Sequence, residues 1–181
     1  MLEGCGGPLV SRYELIPARS RVSVVVSSTL HRMEGAGVGL EGFIEAAVVD
    51  GVIDLGVPPL GELSLAVDRL RSDNRLFDSE MTRRVDARRF PTARGWLSTV
   101  TRIDGDRYRL NGELNLHGVS RSVDGEADVR LRDAFLDAQG ELTIDVRDFD
   151  LTPPRLLVLK VEPEVTIRLD VVARLSEDER A

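Results

Sequence analysis

His31 and His117 are the only imidazoles in the chain, so general-base or histidine-ligated chemistry near neutral pH falls to them. No HxH or HxxxH pair exists, and a metal site therefore has no histidine spacing behind it. Strand alternation puts His117 on a polar face, where an ordinary hydrogen-bonded histidine is the better reading. Ser120 follows Gly118-Val119, but the G-x-S-x-G elbow that would present a nucleophilic serine is missing; its hydroxyl suits a strand connection. Gly35, Gly37 and Gly39 alternate with Ala36 and Val38 with no helix after them, so they permit backbone bends rather than form a dinucleotide fingerprint. The single Cys5 can close no internal disulfide and build no cysteine metal cage. No catalytic residue, metal or cofactor is assigned from these residues.

Charge is the other available chemistry. The chain carries 31 acidic against 24 basic residues, a formal charge of -7, and aromatics make up 4%. An acidic balance with few stacking platforms disfavours nucleic acid as a partner. Arginines 69, 71, 75, 83, 84, 88, 89 and 94 nevertheless crowd one region, against Asp68, Asp73, Asp78, Glu80 and Asp86, a local excess of three positive charges. A solvated helix laced with ion pairs accounts for most of this.

Such residues have to be positioned by the surrounding elements, and most of the chain alternates with period two. From Tyr108 to Leu116, apolar or small residues alternate with Arg109, Asn111, Glu113 and Asn115; after Gly118 the pattern resumes as Val123, Gly125, Ala127, Val129 and Leu131. This predicts an antiparallel hairpin with one dry side. Strands are also expected over Ser11–Ile16, Arg21–Ser28, Leu40–Val49, Glu62–Leu70, Thr92–Ile103, Leu142–Val146 with Phe149 and Leu151 continuing its face, and Val161–Ala173. Leu30–Gly39 and the acidic stretch Asp133–Gly140 read as connections, and Asp50-Gly51 as a turn. Phe77, Met81 and Val85, spaced by four, predict a helix within Ser72–Arg89, with Ser72, Asp73 or Asn74 as its cap and Pro91 beyond its end.

Roughly eight strands, each dry on one side, with one short helix predict an all-β domain, a closed antiparallel barrel or a sandwich. Closure is preferred because long exposed strand edges invite aggregation. One barrel domain is expected over residues 11–175, with a glycine-rich lead-in over 1–10 and a charged tail over 176–181. No apolar run approaches the ~20 residues of a spanning helix, and MLEGCGGPLVSRYE has neither the basic nor the apolar region of a secretory signal. A cytoplasmic protein is expected.

The ordered set Tyr13-Glu14-Leu15-Ile16-Pro17, Ser20 to Val26, Leu70-Arg71-Ser72, Arg89-Phe90-Pro91-Thr92 and Gly112-Glu113-Leu114-Asn115-Leu116-His117-Gly118-Val119-Ser120-Arg121 resembles the YceI-like family of lipocalin-like, polyisoprenoid-binding proteins. The version LVLKVEPEV at Leu157 to Val165 resembles a cytoplasmic bacterial branch. The resemblance implies an eight-stranded antiparallel lipocalin-like barrel whose apolar tunnel takes the tail of a long isoprenoid amphiphile. Ala93 and Gly95 stand where many relatives carry larger apolar residues, a difference that widens the tunnel or accommodates another core side chain.

Candidate interior residues for such a ligand are Leu63, Leu65, Val67, Phe77, Met81, Ala93, Gly95, Leu97, Leu110, Leu114, Leu116, Val129, Ile144, Val146, Phe149, Val165, Ile167 and Leu169. With the helix at the barrel mouth, Arg71 and Arg75 are candidate contacts for a phosphate or other anionic head group. The leading expectation is a non-enzymatic protein that binds, sequesters or transports a long-chain isoprenoid or other lipid-like small molecule, not membrane-spanning and compatible with a homodimer. Two others stay open: an isomerase or cyclase using His31 or a buried carboxylate as base, and a ligand-free, solid barrel with a structural or partner-binding role.

Overall fold

The computed structural model describes residues 9–153, 155–156 and 159–176. Most of the expected lead-in and charged tail, and Leu157-Val158 of the LVLKVEPEV stretch, lie outside the described residues. The strands are β1 (Val10–Leu15), β2 (Arg21–Ser28), β3 (Arg32–Val38), β4 (Glu41–Val49), β5 (Val52–Ile53), β6 (Leu60–Ala66) and β7 (Arg71–Ser72). After helix α1 (Arg75–Arg84) come β8 (Thr92–Asp104), β9 (Arg107–Leu116), β10 (Val119–Arg132), β11 (Phe135–Asp145), β12 (Arg155–Leu156) and β13 (Leu159–Leu175).

Pairing in the order β1-β4-β6-β8-β9-β10-β11-β13 returns to β1, which closes an eight-stranded antiparallel barrel. β13 is long enough to take two partners end to end, pairing β2 over Val161–Asp170 and β1 over Ala173–Leu175. β2, β3 and β7 thereby continue the wall past β1 and β4. Between β1 and β2 the chain leaves the ladder for one 3-10 turn at Pro17–Arg19. There the Ser20 hydroxyl, fully buried, donates to the Val172 carbonyl and accepts from the Val172 N–H at 3.2 and 3.1 Å. The hydroxyl thus stands in for a strand residue toward the Val172 N–H, while the Ile16 N–H also donates to the Val172 carbonyl at 2.8 Å.

Several expectations need correction. Leu30–Gly39 is not a connection: β3 occupies most of it, its glycines replacing the β-branched residues that advertise a strand. Asp133–Gly140 is likewise mostly strand, because β11 starts at Phe135 right after a two-residue turn. The strand expected over Glu62–Leu70 ends at Ala66, where Val67–Arg69 form a 3-10 turn. Phe149 does not continue a strand face; Val146–Phe149 is a 3-10 turn capped by Asp145.

α1 is shorter than the stretch that predicted it. Asn74 Oδ1 accepts from the N–H groups of Leu76 and Phe77, both at 3.1 Å, and so sets the start. His117 is not on a strand face either. β9 pairs β10 from Leu116 opposite Val119, so His117 and Gly118, with φ of 55° and 74°, form a tight two-residue turn that needs the left-handed region twice. Histidine is one of the residues enriched there.

Candidate ligand-binding cavity

The inward faces of the strands surround a cavity of about 380 Å³. From β6 it is lined by Leu63 and Leu65, from β8 by Ala93, Gly95 and Leu97, from β9 by Leu110, Leu114 and Leu116, and from the β11 end by Ile144 and Val146. β13 contributes Val165, Ile167 and Leu169, while Val67, Phe77 and Met81 complete the apolar part near α1. Many of these, such as Leu63, Leu97, Leu114 and Leu169, are only half-buried although they point inward. An inward leucine that stays half-buried borders space rather than neighbours.

Val129 and Phe149 do not line the cavity. Val129 has the right parity but packs below the cavity with Tyr108 and Ile53, in the part of the barrel that is filled. Phe149, 1% exposed, turns into the cluster of Phe77, Val85 and Leu151. The candidates above also omitted part of the lining: Val22, Val24 and Val26 of β2, Leu40, Ile44, Val123, Ala127, Ala138, Leu142 and Val171. Alternation along β2 was the available signal, but Val25 interrupts it and conceals which face is inside.

Small residues keep the interior open. Gly61, Gly95, Gly112, Gly125 and Gly140 border the cavity on five consecutive strands of the ring. They do so for two reasons. At Gly112 a Cβ would stand 2.3 Å from the Trp96 carbonyl oxygen and at Gly125 2.5 Å from that of Glu141, so both allow strands to approach. At Gly95 a Cβ would meet only the Glu113 oxygen at 3.8 Å, an ordinary contact. Its missing side chain therefore leaves space beside the cavity.

The two ends are built differently. At one, Phe77 and Val85 of the α1 region, 7% and 5% exposed, pack with Val26, Met33, Ile144 and Val165. At the other, Tyr108 and Leu136 are 3% and 1% exposed. Arg102 donates to the Tyr108 hydroxyl and to the Ile53 carbonyl at 3.0 and 3.1 Å, so this floor is tied to the wall by polar bonds as well as by packing.

Polar residues border the cavity in two settings. Arg94, Glu113, Asp124, Glu126 and Glu141 neighbour the inward glycines, and by alternation their side chains point away from the interior. Arg71, Asp78 and Thr82, by contrast, belong to β7 and α1 and form the polar part of the rim beside the helix. Asp78 accepts from the Ser72 N–H at 2.9 Å and from the Ser72 hydroxyl at 2.7 Å, which fixes the helix to β7. Arg71 donates to the Leu70 carbonyl at 2.9 Å and makes no ion pair among the described residues. Arg75 is exposed and does not reach the cavity.

Neither histidine borders the interior. His31 is exposed in the β2–β3 connection. His117 Nδ1 lies 3.2 Å from the Phe149 carbonyl, which can only accept, and its ring meets Phe90 edge-on at 4.8 Å between centroids. A larger hollow, about 670 Å³, lies on the outer face of β10, β11 and β13, among Asp124, Asp128, Asp170 and the ion pairs Arg107–Glu126 and Arg168–Glu141. Hydrogen bonds from Arg107 and Arg109 hold the Glu126 carboxyl below the usual carboxylate range. This groove is polar and lies outside the barrel.

The fold is shared with solved proteins. BcnA of Burkholderia cenocepacia aligns with a TM-score of 0.73 at 19% identity, over 88% of this chain and 99% of that one. A polyisoprenoid binding domain from Saccharophagus degradans, implicated in plant cell wall breakdown, gives 0.70 at 16% identity over 91% and 98%. The YceI protein of Campylobacter jejuni gives 0.62 at 15% identity over 79% and 85%. No curated protein matches the sequence. The family model for the YceI-like domain matches residues 13–173, from β1 to the end of β13, and the chain belongs to the YceI-like family.

Proposed function

We propose that this chain binds a lipid-like isoprenoid amphiphile, with the apolar tail inside the barrel and the polar head beside β7 and α1. The observation that carries this reading is the hollow, apolar interior of about 380 Å³. Burying a tail there gains roughly 0.8 kcal/mol per CH₂ before the cost of ordering it, so affinity needs no reactive group. The Saccharophagus degradans domain of the same fold, described as polyisoprenoid-binding, supports the choice of ligand class. Arg71 is the preferred head-group contact, since it stands at the rim with no carboxylate partner among the described residues. Arg75 is the weaker candidate, being exposed and off the lining.

Binding is favoured over isomerase or cyclase chemistry by where the candidate bases stand. Both histidines lie off the cavity, and Asp78 at the rim is already engaged by Ser72. A cytoplasmic setting completes the proposal, supported by the lone Cys5 and checked by cell fractionation.

Native mass spectrometry of gently purified protein tests the binding reading. A retained mass that delipidation removes and an added prenyl phosphate restores is expected. A protein that carries no such mass and takes up none afterwards overturns it. For the head group, Arg71→Ala should weaken binding of a prenyl phosphate and flatten its salt dependence; unchanged values would remove Arg71 from the site.

A further inference from the structure

Charge and exposed apolar side chains are spread unevenly over this barrel. Residues 68–94, which hold β7, α1 and the turn after it, carry an excess of three positive charges in a chain of formal charge -7, so the remainder stands at -10. Leu76 on α1 is 74% exposed and Leu30 in the β2–β3 connection 73%, which with Leu9 makes them the most exposed large apolar residues described. Val26 and Met33, paired across the β2–β3 hairpin, share a cluster with Phe77, and β7 runs antiparallel to β3 toward the hairpin tip before α1 begins. The tip and the helix therefore stand at one end of the barrel.

The cavity meets the surface at this end, because Arg71 and Thr82 belong to its lining and are themselves exposed. Arg32, Arg75, Arg88 and Lys160 are exposed around it and make no ion pair among the described residues. The carboxylates are partly taken up: Asp78 accepts from Ser72, and Glu80 pairs with Arg83 and Arg84. Outside residues 68–94, Arg32, Arg121 and Lys160 offset Asp148, Asp150 and Glu162, so the local excess stands.

Arginines meet lipid phosphates, and single leucines standing out from a cationic rim enter the boundary between head groups and acyl chains. An acidic protein would match the charge, but a stable protein interface needs a contiguous apolar centre, and Leu30 and Leu76 project from separate elements. We propose that the α1 end docks on an anionic lipid surface, with Leu30 and Leu76 entering it and the mouth of the cavity facing the bilayer. The use of this contact rests on the isoprenoid-binding reading: an amphiphile then passes from bilayer to barrel without exposing its tail to water.

The test uses vesicles that carry no isoprenoid, made of phosphatidylcholine alone or of equal parts phosphatidylcholine and phosphatidylglycerol, sedimented with the full-length chain. Partitioning should be about tenfold or more stronger on the anionic vesicles at about 0.01 M salt and fall to the phosphatidylcholine level at about 1 M. Arg32→Glu with Arg88→Glu, and separately Leu30→Ser with Leu76→Ser, should each weaken it about fivefold or more. Val49→Ser with Val52→Ser, at exposed apolar residues of the β4–β5 hairpin on the floor end, should leave it unchanged. Circular dichroism establishes that each variant keeps the strand content of the parent.

Equal partitioning on the two vesicle types, folded mouth variants that bind like the parent, or a floor variant that loses as much overturns the docking surface. Retention of an acidic protein by the same face without vesicle binding overturns it too. Vesicle docking that persists in a chain taking up no prenyl phosphate upholds the surface and sinks the isoprenoid reading alone.

Discussion

At the helix end the barrel is stopped by side chains carried on a separate element; at the floor it is stopped by its own strands. Phe77, Met81 and Val85 reach the interior from α1 and the turn after it, an element capped by its own Asn74 and tied to its surroundings by Asp78 accepting from Ser72 and by Arg84 donating to the Thr152 carbonyl. Tyr108 and Leu136 belong to β9 and β11, whose ladders with β10 and β13 keep one register, although β8 is bulged against β9 beside Tyr108. The difference teaches which end is built to give way. Opening the floor requires breaking the barrel, whereas displacing α1 costs a few local bonds and one apolar stripe.

The largest expected effect tests that contrast in the packing itself. Leu136→Ala should lower global stability by about 2–5 kcal/mol in denaturant unfolding. Met81→Ala, at a half-buried residue that already faces the cavity, should cost no more than about half of that, because fewer contacts are lost. Equal costs at the two positions would erase the distinction between the ends.

Ser20→Ala sharpens the comparison from the shared wall. It leaves the Val172 N–H without its hydroxyl acceptor, while the Val172 carbonyl keeps the Ile16 N–H at 2.8 Å, and should cost about 1–3 kcal/mol. Amide exchange should accelerate alike at both ends, since β13 spans the two. Protection lost at one end alone would contradict the picture of one continuous wall.

Asn74→Ala should act at one end only. Removal of the cap should cost about 1 kcal/mol and speed exchange at Leu76 and Phe77, with Tyr108 unaffected. If the floor amides accelerate as much, α1 is not an independent closure. The smallest effect concerns acid. The Asp145 carboxyl, lowered by its hydrogen bond from the Arg147 side chain, sits at the helix end and caps the 3-10 turn that carries Phe149. A depressed carboxylate stabilises the fold above its ordinary range and loses that contribution as pH falls, so melting temperature should dip slightly below about pH 4. A melting temperature that rises on acidification through that range would be the wrong sign.

Much of this architecture was legible in the sequence. Clean alternation located β9, β10 and β13, and a stripe spaced by four, followed by proline, located α1. The segments that escaped lacked the ordinary markers. β3 carries glycines where strands usually carry β-branched residues, and the opening of β11 follows an acidic turn that reads as loop. His117 escaped because alternation cannot tell the last residue of a strand from the first of a two-residue turn. The cavity was legible by face but not by depth. Val129 and Leu114 share the inward parity, and only the assembled barrel shows that one lies in the filled floor and the other beside open space. The head-group pair separated for the same reason: Arg71 lies on β7 at the rim, while Arg75, the first residue of α1, is exposed and off the lining.

Gly95 has a consequence for how this protein can change over generations. A glycine codon reaches alanine by one base substitution, and at this wall position its Cβ meets no backbone atom closer than 3.8 Å. Each such step removes a small, graded amount of interior space while the ladders on both sides stay as they are. The binding preference of the lineage can therefore drift by single missense changes under selection, without first acquiring a compensating mutation elsewhere in the fold.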